Sequence, residues 1–253
     1  MRQSNTYVLL FTAALTVVVG GLLSLASQGL APAQKKSVEL DTKSQILSSV
    51  MDREKLSTMT REEVLDVYDK SITSLVVDIN GDVVEKDEKG KAIVAEEVDI
   101  LKNYKKDPAE RMYPVFKYSK DASSGSVDAY ILPLYGAGLW DKIWGFVALE
   151  DDLNTIAGAS FDHKAETPGL GQRIATAEIQ NRFVGKKIFD ESGSLVSVTM
   201  LKGEGNDGLS SHEVDGMSGA TLTARGLNDM LENYLNSYQS YFKKVKSTGV
   251  ASL

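Results

Sequence analysis

The clearest chemistry in the chain lies in Asp215-Gly216-Met217-Ser218-Gly219-Ala220-Thr221, a run of small and hydroxylic residues just ahead of a strongly periodic apolar pattern. Small residues let backbone approach a bulky ligand, and a helix N-terminus that follows supplies free N–H groups and a positive dipole end. A phosphate settles well there, and the Thr221 hydroxyl offers an oxygen for an ester. The plainer reading is a polar turn in which Thr221 or Thr223 caps the helix, as Ser and Thr often do. A second segment, His163 to Gly171, reads HKAETPGLG. Pro168 fixes one dihedral, Gly169 and Gly171 free two more, and Thr167 adds a hydroxyl, so a tight loop with several aligned N–H groups is expected. Such a loop can cradle a phosphate or the edge of a ring. The third segment is Tyr135-Gly136-Ala137-Gly138-Leu139-Trp140. Its glycines permit close ligand approach and Trp140 offers a flat apolar face, although a glycine-bearing turn with Trp140 in the core fits the same letters.

Composition narrows the field of functions. With 253 residues, 42% of them hydrophobic, the chain can bury one substantial core or two small ones. Lys plus Arg number 28 against 35 Asp plus Glu, a formal charge of −7, and no basic cluster is interleaved with aromatics, so nucleic acid is not an expected partner. The absence of cysteine removes disulfides, thiolate zinc sites and a self-ligated iron–sulfur cluster. Any electron carrier would have to be organic. With two histidines, His163 and His212, and no paired ligand spacing, no metal site is expected.

These segments need elements to position them. No charged residue occurs from Gln3 to Gln34, and Tyr7 to Ser27 is an apolar span long enough to cross a hydrocarbon core of about 30 Å. A cleaved signal peptide is the competing reading, with Ala31-Pro32-Ala33 as a small-x-small site. The apolar region exceeds the roughly 7 to 15 residues usual for a signal, which favours a retained anchor. Arg2 then puts Met1 in the cytoplasm and the body outside. Residues 1–30 are thus read as cytoplasmic N-terminus and transmembrane anchor, 31–59 as linker and first helix (Lys43 to Met51), and 60–253 as one α+β domain with antiparallel hairpins.

Within that domain, Thr60 with Glu62 and Glu63 opens a helix. Asn80-Gly81, between Leu75–Ile79 and Val83-Val84, is the strongest short hairpin signal in the chain. The charge-rich stretch Glu85 to Lys106 reads as a surface loop with a short helix. Strands are predicted from Val115 to Tyr118, from Val127 to Leu134 after a turn at Ser123-Ser124-Gly125, from Trp144 to Leu149, and from Leu195 to Leu201. A helix is expected over Ala175 to Ile188 with Ile174, Ile179, Phe183 and Val184 inward. Leu227, Met230, Leu231, Tyr234, Leu235, Tyr238, Tyr241, Phe242 and Val245 recur at helical spacing and predict a long terminal helix whose aromatic stripe serves core packing.

The ETPGLG, GLW and DGMSGAT segments occur in one order behind one N-terminal span, and together they resemble the NqrC component of the sodium-translocating NADH:quinone oxidoreductase, Nqr. The likeness to the RnfG component of the related Rnf complex is more distant. The resemblance covers nearly the whole chain and implies covalent FMN on Thr221, an anchor in the bacterial inner membrane and a periplasmic domain. It also implies a flavin transferase for maturation, because a threonine hydroxyl lacks the adjacent base that activation demands. In the family that enzyme uses FAD as donor. The other Nqr subunits are the implied partners, relaying electrons from NADH toward ubiquinone with export of Na+. NADH oxidation and sodium passage would lie on those subunits, since one apolar helix cannot build a gated ion path.

By the same resemblance, Ser218, Gly219 and Ala220 bring backbone close to the phosphate, and Thr223 hydrogen-bonds it. Thr167, Gly169, Leu170 and Gly171 hold the cofactor from the opposite side. Leu139, Trp140 and Leu170 pack on its ring, and Lys202 sets a positive charge near the reducible edge, unless it is a solvated strand-end lysine. Asp215 assists recognition by the transferase. No acid–base catalyst is required of the chain. The readings that remain beside this one are an Rnf-like or free-standing anchored flavoprotein, and an anchored binding domain without cofactor.

Overall fold

The structure, a computed structural model, describes residues 4–87, 89–121, 123 and 125–249. Met1 to Gln3, on which the topology expected from Arg2 depends, lie outside the described residues, as does Ser124 of the expected turn. The chain divides into two compact units, Met1–Thr42 and Lys43–Leu253.

Helix α1 runs unbroken over Asn5–Ser48 and contains Pro32. It is long and apolar enough to cross a membrane. A linker was expected at 31–42, but Ala, Gln, Lys and Glu there are good helix formers, and the helix continues past the proline despite its lost hydrogen bond. In the second unit, the end of α1 buries Ile46 and Leu47 completely. Helix α2 (Arg53–Ser57) follows, then α3 (Arg61–Ser71), which opens after Thr60 as the sequence predicted, on a reciprocal capping box with Glu63.

The sheet is a five-stranded antiparallel meander, β1 (Ile72–Val77), β2 (Tyr113–Tyr118), β3 (Ala129–Ala137), β4 (Lys142–Glu150) and β5 (Ile156–His163), in that spatial order. Between β1 and β2 lie a 3-10 turn at Ala95–Glu97 and helix α4 (Ile100–Tyr104). The Asn80-Gly81 turn forms, with Gly81 at φ +77°, yet its return contributes a single bridge, Val77 to Val83. The ladder partner of β1 is β2, paired from Ile72↔Tyr118 to Val77↔Tyr113. Pro133 sits in β3 beyond Ile131, where the β2 pairing stops, so its missing N–H costs no rung on that side. β5 was not predicted, and β4 and β5 pair from Ile143↔His163 with a bulge at Ala148/Leu149.

Past β5 the expected long helix is short. A 3-10 turn spans Gly171–Ala175 and α5 covers only Ala177–Asn181. Gly185 at φ +77° ends the helical turn, and Gly185 and Ile156 then bond as backbone to backbone. Ile174, Ile179 and Phe183 are buried as predicted, whereas Val184 is exposed. The strand expected over Leu195–Leu201 reduces to β6 (Thr199–Met200), paired in parallel with β7 (Glu213–Val214). Ser197 at φ +61° breaks the extended run before it.

Helix α6 (Thr221–Thr248) lies against the sheet, and every residue of its predicted stripe from Leu227 to Val245 is buried. Leu132, Leu134, Val147 and Phe161 meet it in one core, while Phe116 and Phe146 stack edge-on among the residues outside that core. Tyr238 donates its hydroxyl to the Pro114 carbonyl at 2.7 Å. Asn228 fixes β6 to the helix, accepting from Met200 N at 2.8 Å and donating to Met200 O at 3.0 Å.

Candidate functional site

The attachment run bridges β7 and α6. A Cβ on Gly216 would lie 1.9 Å from the Leu201 carbonyl, so only glycine lets this backbone cross the end of β6. Met217 and Ala220 are buried, Ser218 and Gly219 exposed, and Gly219 takes φ +73° to turn the chain into the helix. Ala220 is the N-cap, and no side chain caps the first turn. Neither Thr221 nor Thr223 therefore plays the capping role of the plainer reading. Thr221 occupies the first helical position, half-buried, with Leu222 beside it 51% exposed. An uncapped first turn leaves N–H groups and the positive dipole end free for an anion.

Asp215 organises the approach. Its carboxylate accepts from Asn206 N and Gly205 N, each at 2.9 Å, and from Asn206 Nδ2 at 2.8 Å. Those hydrogen bonds, with Arg182 nearby, hold it down to about pKa 2. Arg182 Nη1 donates to Gly216 O at 2.5 Å, and its Nη2 meets Glu204 and Glu178. Arg173 joins Glu204 through two nitrogens, at 2.6 and 3.0 Å. Glu204 is brought to about pKa 2 chiefly by Arg173, then Arg182, with the Ser218 N–H adding a smaller part. Asp215, read from the sequence as a recognition element, is thus committed to folding the 203–206 loop.

The other two motifs converge on the same end of α6. In the TPGLG loop, Leu170 N and Gln172 N both donate to the Thr167 carbonyl, at 3.1 and 3.2 Å. These N–H groups are spent inside the loop, so the aligned cradle expected there does not form from them. Gly169 takes φ +73° and throws out Leu170, 40% exposed, whose Cδ2 would lie 2.8 Å from a Cβ on Gly219. The GLW segment closes the β3–β4 turn, where Gly138 N donates to Asp141 O. Tyr135, Gly136 and Ala137 belong to β3 rather than to a turn. Trp140 is not in the core: it is 68% exposed, and Leu139 44%. Its indole Nε1 donates to Thr167 Oγ1 at 3.0 Å.

Glu166, not singled out from the sequence, is the junction. It is 4% exposed and accepts from Trp140 N on one oxygen at 3.0 Å and from Thr223 Oγ1 on the other at 2.5 Å. Thr223, 1% exposed, spends its hydroxyl proton here, so it cannot also donate to a phosphate as expected. A Cβ at Gly171 would lie 2.4 Å from Thr223 Oγ1, which accounts for the last glycine of the motif. The signal for Glu166 was its place beside Thr167 in ETPGLG. Only its burial reveals the role. Lys202 is exposed at the end of β6, its carbonyl accepting from Asn206 at 3.3 Å, and among the described residues it makes no hydrogen bond to Thr221.

Residues 138–236 match the family model of the FMN-binding domain. The chain is 32% identical to NqrC of Pseudomonas aeruginosa, a component of the Na(+)-translocating NADH-quinone reductase, over 92% of each chain. It is 31% identical to the corresponding reductase component of Neisseria meningitidis serogroup A, over 98% of this chain and 97% of that one. Among solved structures, the crystal structure of the same reductase component from Parabacteroides distasonis superposes with a TM-score of 0.70 at 36% identity, covering 84% of this chain and 96% of the other. The Shewanella oneidensis NqrC structure gives 0.68 at 28% identity, over 85% and 99%. On these grounds the chain belongs to the NqrC family of the Na(+)-translocating NADH-quinone reductase.

Proposed function

We propose that this chain is the membrane-anchored electron-transfer subunit of a sodium-translocating NADH:quinone oxidoreductase and carries FMN as a phosphoester on Thr221. The observation that carries the reading is the uncapped start of α6, which opens on Thr221 and exposed Leu222, with exposed Leu170 against Gly219 just before it and exposed Trp140 tied through Glu166 to Thr223 in the same first turn. Large apolar side chains left open around one hydroxyl suit a flat ring tethered through its phosphate. When bound, FMN supplies the one- and two-electron chemistry, and the protein supplies position and electrostatics.

The residues divide that work. Thr221 Oγ takes the FMN phosphorus from FAD, AMP leaves, and the hydroxyl proton passes to a base of the flavin transferase. The first-turn N–H groups of α6 offset the remaining phosphate charge. Ser218, Gly219 and Ala220 bring backbone close, and Gly169, Leu170 and Gly171 close the opposite side. Trp140 and Leu139 give the ring an apolar face. Lys202, if the ring reaches it, adds a cation that favours the reduced anion. The anchor α1 keeps this domain at the extracytoplasmic face of the inner membrane, beside the other subunits that oxidise NADH, reduce ubiquinone and move Na+.

Co-expression with the flavin transferase and intact-mass measurement tests the reading. A gain of one FMN moiety that is lost in Thr221→Ala and kept in Thr221→Ser is expected. An unmodified wild-type chain, or a modified Thr221→Ala chain, overturns it.

A further inference from the structure

Trp140 poses a physical problem. At 68% exposure its indole is not positioned by packing, yet a ring platform must be fixed to be useful. Its two nitrogens are instead held by consecutive residues, the backbone N by Glu166 Oε1 and the indole Nε1 by Thr167 Oγ1, each at 3.0 Å. The second oxygen of Glu166 takes the proton of Thr223, which stands in the same first turn of α6 as Thr221. We infer that Glu166 is a positioning residue that sets the Trp140 platform and the Thr221 acceptor in one register. The inference rests on the function proposed above for Thr221.

Three elements meet at this one carboxylate: the β3–β4 turn, the TPGLG loop and the start of α6. The carboxylate is walled in. A Cβ at Gly138 would come within 2.4 Å of Oε1, and one at Gly171 within 2.5 Å of Oε2. Both glycine backbones therefore pack close against the carboxylate, with no room there for a side chain. Two donors, the Trp140 N–H and the buried Thr223 hydroxyl, converging on two acceptor oxygens also explain the residue type. Alanine leaves the buried Thr223 hydroxyl without its acceptor and releases the Trp140 N–H. Glutamine keeps an oxygen for Trp140 N, and its amide donates to Thr223, whose hydroxyl can turn and accept.

The test uses the full chain in detergent with Trp144→Phe, so that Trp140 is the sole tryptophan, excited at the red edge where the ten tyrosines do not absorb. Trp140 anisotropy and acrylamide quenching are read without flavin, and the attached fraction is read by intact mass after transferase co-expression. For Glu166→Ala, lowered anisotropy, stronger quenching and about a tenfold slower attachment are expected, with the melting temperature as a control for folding. Glu166→Gln should restore both readouts, and Gly171→Ala, which drives a methyl into the same node, should reproduce the alanine effect. If Glu166→Ala does not fold, Glu166→Gln and Gly171→Ala decide. Unchanged Trp140 mobility and attachment in Glu166→Ala or in Gly171→Ala would overturn the inference, as would a glutamine variant that behaves like alanine. A wild-type chain that takes no flavin overturns the proposed function instead, and the flavin-free anisotropy still reads whether Glu166 holds Trp140.

Discussion

At the scale of single residues, the carboxylates beneath the attachment run make its folding sensitive to acid. Asp215 and Glu204 are each held at about pKa 2, below their ordinary values of 3.8 and 4.5. A depressed carboxylate contributes stability that is present above its unfolded pKa and lost as pH falls through the folded one. The 203–216 region should therefore loosen as pH drops from about 4.5 toward 2. Urea midpoints across that window should fall for the wild type and fall less steeply for Asp215→Asn, which starts weaker at neutral pH. Arg182→Ala removes the donor to Gly216 O and one guanidinium from Glu204. It should raise the pH at which the loop opens, read by hydrogen exchange at Asn206 and Gly216. The attachment run itself was legible from its letters. That Asp215 also folds the 203–206 loop was not, because its donors lie 9 and 10 residues upstream in a segment with no periodicity.

Among the elements, α6 was the most legible, since its stripe holds one period from Leu227 to Val245 and that period alone dictates which face is buried. Gly226 shows where propensity misleads. Alanine favours an exposed helix by about 1 kcal/mol over glycine, but a Cβ here would lie 2.2 Å from the Ala137 carbonyl. Gly226→Ala should therefore destabilise by about 1–3 kcal/mol, measured as a lower urea midpoint at unchanged slope. Tyr238→Phe, which strips the Pro114 carbonyl of its donor, should cost about 1 kcal/mol by the same measurement. β5 escaped prediction because Ala157, Gly158 and Ser160 carry little strand preference, and Gly158 is demanded by close approach to the Ser49 carbonyl, which would lie 2.2 Å from a Cβ at that position. The Asn80-Gly81 signal specified a turn, but not a two-stranded ladder. Val83, 58% exposed, gains nothing by extending the pairing.

For the whole molecule, the division after Thr42 makes a prediction about truncation. A chain beginning at Lys43 keeps Ile46 and Leu47, both wholly buried, and should fold and melt cooperatively without detergent. A chain beginning at Met51 loses both. It should be destabilised by several kcal/mol or fail to fold, since each large buried aliphatic removed costs about 2–5 kcal/mol; thermal denaturation followed by circular dichroism distinguishes the two. The sequence by itself determined the apolar span, the α+β class, the long terminal helix and the three motifs, because periodicity and short spacing are local properties of a chain. The tertiary structure alone decided that β1 pairs with β2, that Trp140 stands open, that the first turn of α6 is uncapped, and that Glu166 joins the motifs. Glu166 and Thr223 are 57 residues apart. Contacts over that separation are set by how the meander and α6 close on each other, and no local pattern encodes them.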